Sequence, residues 1–194
     1  MRANHDMYEG QAELVIQSPV GPLLLRAGRE GLTHLLYWRS PSAPSETGNL
    51  DSLPRATAPD LVAARAVLER AQRELQEYFA GARHRFGVPL HPSGSAFQRE
   101  VWAVLRTLPF GAFSTYKEVA ARVGRPNAVR AVGAANGANP ISIIVPCHRV
   151  VGTGGRLTGY GGGLDAKRWL LQHEGLMIER DRVVPPRLAP SSSA

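Results

Sequence analysis

The sequence predicts an α+β fold in two parts: a small antiparallel sheet backed by one long helix, then a mostly helical half carrying a helix-turn-helix. Three observations lead there. Short apolar runs separated by Gly- and Pro-containing turns fill residues 12–38. One apolar stripe, in steps of three and four, runs from Leu61 to Tyr78. Two short helical segments meet at Gly124-Arg125-Pro126, with the dimensions of a helix-turn-helix.

Ala12 to Ile16 and Leu23 to Arg26 read as strands separated by Ser18-Pro19-Val20-Gly21-Pro22, and Leu32 to Trp38 as a third after Gly31. The stretch 39–59 is rich in Ser, Pro and Ala and short of large apolar side chains, which predicts a mobile loop. Leu61, Ala64, Leu68, Ala71, Leu75 and Tyr78 then share one helix face, with Asp60 placed to cap the start and Gly81 the end. His84 and His91 stand alone in the following loop and are expected to be solvated rather than ligating. Gly87 to Gly94, with two prolines, divides a first domain of residues 1–90 from a second of residues 91–180.

Ser95 and Gln98 form a capping box that opens a helix burying Phe97, Val101, Trp102 and Leu105 and stopping before Pro109-Phe110-Gly111. Thr115 and Glu118 form a second box, opening a helix through Val123 that Gly124 ends. Pro126 and Asn127 are expected to open the next helix, to about Asn136. Residues 181–194, Pro- and Ser-rich from Pro185, are expected to be a disordered tail.

Hydrophobic residues make up 43% and charged residues 20% of the 194, the balance of a globular protein with a core of its own. The start of the chain has no secretory pattern, and the most apolar stretch, Ile141 to Pro146, is far too short to span a bilayer. A single cysteine excludes an internal disulfide framework and any multi-cysteine zinc site. A free thiol suits a reducing compartment, so a cytoplasmic location is expected. Residues 1–94 carry ten Lys/Arg against ten Asp/Glu, whereas residues 95–175 carry ten against four. A basic segment joined to a neutral one points to a polyanionic partner for the second half.

The second helix of the pair reads Ala128-Val129-Arg130-Ala131-Val132-Gly133-Ala134-Ala135-Asn136. It has almost none of the long polar side chains that read base edges in the major groove. Such a smooth face suits either close approach to a narrow groove, with Arg130 as its one probe, or tight packing inside the domain. The chemistry centres on Ile141 to Val151. A β-branched strand is expected to end at Pro146 and leave Cys147 at its exit. His148 and Arg149 supply a base and positive charge nearby, and Glu174 is a carboxylate able to orient the imidazole. Neighbours in an extended chain point to opposite faces, so contact between Cys147 and His148 needs a turn or a bridging water. An inert buried thiol beside a core histidine remains open on these residues alone.

The motifs resemble those of the O-6-alkylguanine-DNA alkyltransferases, also called methylated-DNA–protein-cysteine methyltransferases. Ile144-Val145-Pro146-Cys147-His148-Arg149-Val150 is similar to their active-site motif, and Arg130-Ala131-Val132-Gly133 with Asn139-Pro140 to their recognition helix and asparagine hinge. Gly159-Tyr160, Gly162-Gly163-Leu164, Lys167, Trp169-Leu170-Leu171 and His173-Glu174-Gly175 resemble the binding loop and final helix. The likeness is near-continuous from Phe97 to Gly175 and weak from Ala12 to Phe86.

The resemblance implies an N-terminal ribonuclease-H-like α/β domain, serving as structural support, and a C-terminal winged-helix-like domain that meets duplex DNA in the minor groove. Cys147 would accept the alkyl group of O-6-alkylguanine irreversibly, with His148 acting through a water, Glu174 behind it and Asn139 supporting the turn. Tyr116 would help turn the nucleotide out and donate a proton to the departing guanine, and Arg130 would fill the gap in the base stack. Arg125, Ala131, Gly133 and Ala134 would also face DNA. Tyr160, Gly161 and Gly162, with the backbone carbonyls of Val150 and Cys147, would line the guanine pocket. No cofactor or metal is implied, because members that bind zinc use two cysteines, and a monomer is expected. Gly161 stands where some members have serine. The alternative is a helix-turn-helix DNA-binding or damage-sensing protein without transfer activity.

Overall fold

Short apolar runs build the first sheet, and its middle strand buries three consecutive leucines, Leu23, Leu24 and Leu25. The protein, described here by a computed structural model over residues 11–38 and 59–184, places β1 at Ala12–Ile16, β2 at Leu23–Gly28 and β3 at Gly31–Tyr37. They pair antiparallel in the order β1-β2-β3, with Leu14 opposite Leu25 and Leu25 opposite Leu35. That register puts Leu14, Ile16, Leu23, Leu25, Ala27 and Leu35 into the core. The loop expected at 39–59 lies outside the described residues apart from Pro59.

Helix α1, Pro59–Phe79, lays Ala64, Leu68, Ala71, Leu75 and Tyr78 against this sheet; Leu61 is only half-buried. Asp60 sits inside the first turn rather than at the cap, since Pro59 takes the first helical position, where a missing N–H costs nothing. Past its end, the N–H groups of Gly81 and Ala82 bond Tyr78 O and Glu77 O, both at 2.9 Å, the closing pattern expected of Gly81. One feature of α1 has no trace in the apolar stripe. Glu74 is buried and accepts from Arg70 Nε (2.8 Å) and from the N–H groups of Gly87 (2.7 Å) and Val88 (3.1 Å), so it anchors the linker to the helix. His84 stacks on Phe110 at 4.0 Å, and exposed His91 lies 3.1 Å from Glu30.

In the second half both capping boxes form, opening α2 (Ala96–Arg106) at Ser95 and α3 (Tyr116–Arg122) at Thr115. Helix α2 buries Val101, Trp102 and Leu105, with Phe97 half-buried, and Trp102 Nε1 donates to Ala135 O (2.8 Å) in α4, Val129–Gly137. Helix α4 starts later than Pro126 and Asn127 suggested. Pro126 instead follows Arg125 in a turn closed by Ala128 N–H to Arg125 O at 2.9 Å. Two-residue strands β4 (Ser114–Thr115) and β5 (Val150–Val151) pair in parallel, and α5 covers Gly163–His173. The expected tail begins too early: β7, Arg182–Val184, pairs with β6, Met177–Glu179, because Val183 is buried beside Leu157 and Leu171. Residues 185–194 lie outside the described residues. Among the described residues no helix is long and apolar enough to cross a membrane.

The outer edge of β3 joins the two halves. Leu32 N–H donates to Pro89 O and His91 N–H to Leu32 O, both at 2.8 Å, and further along Leu35 N–H donates to Pro140 O (2.8 Å) while Ser142 N–H donates to Leu35 O (3.0 Å). These bonds occupy an edge that would otherwise expose unpaired groups. They also tie the sheet to the turn that carries Cys147.

Candidate active site

The apolar run ending at Pro146 is a buried turn and not a strand. Ile141 makes one bridge to Leu35, then the chain folds back through Ile144 N–H to Ser142 O (2.8 Å) and Val145 N–H to Ile141 O (3.0 Å). Ile143 adopts φ 69°, an unfavourable region for a β-branched residue. Asn139 makes this conformation affordable. Its Oδ1 accepts from Ile141 N–H (3.0 Å), and its Nδ2 donates to Val145 O (2.8 Å) and to Cys147 Sγ (3.0 Å). A six-residue apolar run has no periodicity that separates a strand from another buried segment, and the deciding side chain lies just outside it.

Cys147–Arg149 forms one turn of 3-10 helix, with Arg149 N–H bonded to Pro146 O at 3.0 Å. The turn separates the neighbours that an extended chain would have opposed. Cys147, 4% exposed, lines a cleft of about 300 Å3 with Asn139, Tyr160 and Gly161. His148 and Arg149 turn toward Glu174. Burial pushes the Cys147 thiol above its ordinary 9.0, against the hydrogen bond from Asn139 and the nearby Lys167 ammonium, so the resting sulfur is protonated.

Glu174, just after α5, collects hydrogen bonds from both domains. It accepts from Tyr78 Oη (2.8 Å), from Arg149 Nε (2.7 Å) and Nη2 (2.8 Å), and from Gly111 N–H (3.3 Å). His148 Nε2 lies 2.8 Å from its Oε1. Burial alone would raise the Glu174 carboxyl, but the bonds from His148 and Arg149 outweigh it and hold the group well below the carboxylate range. His148 is fully buried, and burial keeps the imidazole below 6.5 despite the carboxylate. A neutral ring that gives its Nε2 proton to Glu174 keeps a lone pair on Nδ1. Nδ1 is buried and has no hydrogen-bond partner among the described residues. The ring is thus in the state of a base, with a free lone pair one residue along the chain from Cys147.

The remaining predicted residues fall in three places. Tyr160 and Gly161 line the cleft with Cys147, whereas Gly162 packs against the ring of Tyr37. Val150 is buried; its carbonyl accepts from Lys167 Nζ (2.6 Å), and Cys147 O accepts from Val150 N–H, which leaves each oxygen a second lone pair. Tyr116 opens α3 with its ring over Gly133 and its hydroxyl 3.2 Å from Thr158 Oγ1, outside the residues that line the cleft. On α4 the exposed positions are Arg130, Ala131, Ala134 and Gly137, a smooth face with one long side chain. Arg125 is engaged elsewhere, 3.1 Å from Glu100 and over the ring of Phe97.

Three side chains carry more of the site than the sequence suggested. Lys167 is buried, with Nζ bonded to Val150 O and to Thr158 O (3.0 Å); burial lowers it to about 8 against the pull of Cys147. Tyr78 reaches Glu174 from α1, and Tyr37 reaches the cleft from β3. The N-terminal half is thus part of the site as well as its support. For Lys167 a cation in an apolar helix face next to the glycine loop was a usable signal; for the tyrosines nothing local was.

Comparison with known proteins places this geometry. Residues 13–92 match the ribonuclease-like domain, and residues 96–176 the DNA binding domain, of 6-O-methylguanine DNA methyltransferase. A methylated-DNA–protein-cysteine methyltransferase of Methanosarcina barkeri is 43% identical over 161 residues, 82% of this chain and 94% of that one. The protein of the same name from Mycolicibacterium paratuberculosis is 48% identical over 160 residues, 82% and 89% of the two chains. The crystal structure of Mycobacterium tuberculosis O6-methylguanine methyltransferase matches with a TM-score of 0.68 at 41% identity, covering 84% of this chain and 92% of that one. The M. tuberculosis protein in complex with DNA matches with a TM-score of 0.68 at 42% identity, covering 82% and 90%. With both halves matched in order and relatives covered almost end to end, the chain belongs to the 6-O-methylguanine-DNA methyltransferase family.

Proposed function

We propose that this protein repairs DNA by transferring the alkyl group of O-6-alkylguanine irreversibly to Cys147. The observation that carries the reading is a buried thiol held by Asn139 and followed in the chain by a buried imidazole that is oriented by Glu174 and keeps Nδ1 without a partner among the described residues. A buried sulfur can meet the damaged base only if that base leaves the duplex, and a poorly paired base costs less to extrude. The thiol proton passes to His148 Nδ1, with a water between them. Sulfur then attacks the alkyl carbon, the bond from carbon to guanine O6 breaks, and its electrons return to the ring. Tyr116 relieves the developing charge by donating a proton and recovers one from the imidazolium, so the net movement is thiol proton to guanine. The product is a thioether, and among the described residues that line the cleft none is suited to cleave it. The protein is consumed.

The smooth face of α4 supports minor-groove contact, with Arg130 as the probe of the base stack. A domain boundary at residues 90/91 accords with the linker that Glu74 holds, and the free thiol supports a cytoplasmic location. Damage sensing without transfer would leave the buried His148 Nδ1, without a partner among the described residues, with no purpose.

Duplex DNA carrying labelled methyl groups on guanine O6 tests the reaction. Label should reach about one per chain, map to the peptide containing Cys147, and stop there with DNA in excess. Labelled methanol in solution would overturn the acceptor mechanism. Arg130→Ala should slow transfer from duplex at least tenfold more than transfer from free alkylguanine base. Equal losses on the two substrates would assign Arg130 to the pocket or the fold.

A further inference from the structure

The cleft beside Cys147 has a wall from the other half of the molecule. Leu36 and Tyr37, at the end of β3, line it together with Cys147 and Tyr160. Their position is fixed: the Leu35 backbone is bonded to Pro140 O and to Ser142 N–H on the turn that Asn139 organises. The Tyr37 ring meets the Tyr160 ring edge-on at 5.6 Å, and the two hydroxyls lie 2.9 Å apart. On its far side the ring presses on the glycine loop so closely that a Cβ at Gly162 would lie 2.5 Å from it. Burial also holds the Tyr37 phenol well above its ordinary value, so it meets Tyr160 as a neutral hydroxyl.

We infer that Tyr37 is a specificity-determining residue: its ring is the wall that limits the size of alkyl group Cys147 accepts. The inference rests on the transfer reaction proposed above. Three contacts support a wall rather than a passive neighbour. The strand below the ring is tied to the reactive turn, the hydroxyl is tied to Tyr160, and the backbone of Gly162 closes the space behind it. The ring cannot swing aside to admit a bulky group without breaking one of these. A small alkyl group needs no such movement, whereas an aromatic one must fit together with the guanine inside the roughly 300 Å3 that the Tyr37 ring bounds.

The test is single-turnover transfer from duplexes carrying O-6-methylguanine or O-6-benzylguanine in the same sequence. Tyr37→Ala should raise the ratio of benzyl to methyl rates about tenfold or more, the scale at which pocket volume discriminates. Tyr37→Phe keeps the ring and should leave the ratio within about twofold, with a modest fall in both rates as Tyr160 loses its partner. Tyr37→Leu, which retains apolar contact with Gly162, should also raise the ratio and serves where the alanine variant does not fold. Equal losses on both substrates in the Ala and Leu variants would overturn the inference and show that Tyr37 only orders the loop. Absence of transfer from either duplex by the unsubstituted protein would overturn the proposed function itself.

Discussion

Glu174→Ala is expected to lower the melting temperature by roughly 6–20 °C and to slow alkyl transfer at least about a hundredfold. Among the described residues the carboxylate is the only acid bonded to the buried Arg149 guanidinium, which also donates to Leu108 O at 2.6 Å. Removing one partner of a buried pair leaves a charge with no compensation and costs about 3–5 kcal/mol, which for a domain of this size is about 2–4 °C per kcal/mol. The Tyr78 hydroxyl and Gly111 N–H lose their acceptor in the same step. His148 loses the group that fixes its Nε2 proton, and a positioned base contributes about 10²–10⁴-fold. Calorimetry and single-turnover labelling would check both effects. A variant melting within about 2 °C of the parent and transferring at the parental rate would show that Glu174 is incidental.

The same network makes stability depend on pH with a defined sign. His148 is held below 6.5 by burial, so on acidification an unfolded chain takes up its proton first and stability declines from about pH 6.5 downward. Glu174 is held below its ordinary 4.5, so its contribution is present above that value and is lost as pH falls further. In Glu174→Gln the second part of the decline should shrink, and what is left belongs to carboxyls such as Glu74 and Glu118, which are also held below their ordinary value.

Where local chemistry decides local structure, the fold is legible in the sequence. Both capping boxes, the α1 stripe and the three-strand meander follow from side chains within a few residues of the element they specify. Two misreadings arise where partners outside the segment outvote its own pattern. Ile141 to Pro146 has the composition of a strand, yet Asn139 and the edge of β3 satisfy its backbone as a turn. Arg182 to Val184 looks like the start of a tail until Val183 finds Leu157 and Leu171. The candidate site divides in the same way. Cys147, His148, Asn139 and Glu174 stood out as chemistry-bearing residues in motifs. Tyr37 and Tyr78 sit in ordinary apolar patterns, and only the packing of β3 and α1 onto the second half brings them to the cleft and to Glu174.

Cys147→Ser is expected to abolish transfer while leaving affinity for alkylated duplex within about twofold. The exchange removes almost no volume at a buried position, and Asn139 Nδ2 can donate to oxygen as it does to sulfur, so the turn is kept. What disappears is an atom that His148 can deprotonate, because an aliphatic hydroxyl is a far weaker acid than a thiol. Label on the serine protein at even a few per cent of the parental yield would place the acceptor elsewhere. The parent's pH profile separates the imidazole from simple ionisation to solvent. Burial holds the thiol above 9.0 and the imidazole below 6.5, so between those values thiol and base share one proton whose total does not change. Transfer should be flat from about pH 6.5 to 9, and decline only as His148 takes up a proton at lower pH. A rate climbing tenfold per pH unit through neutrality would mean that sulfur ionises unaided, and His148 would then be a structural partner of Glu174 and no base at all.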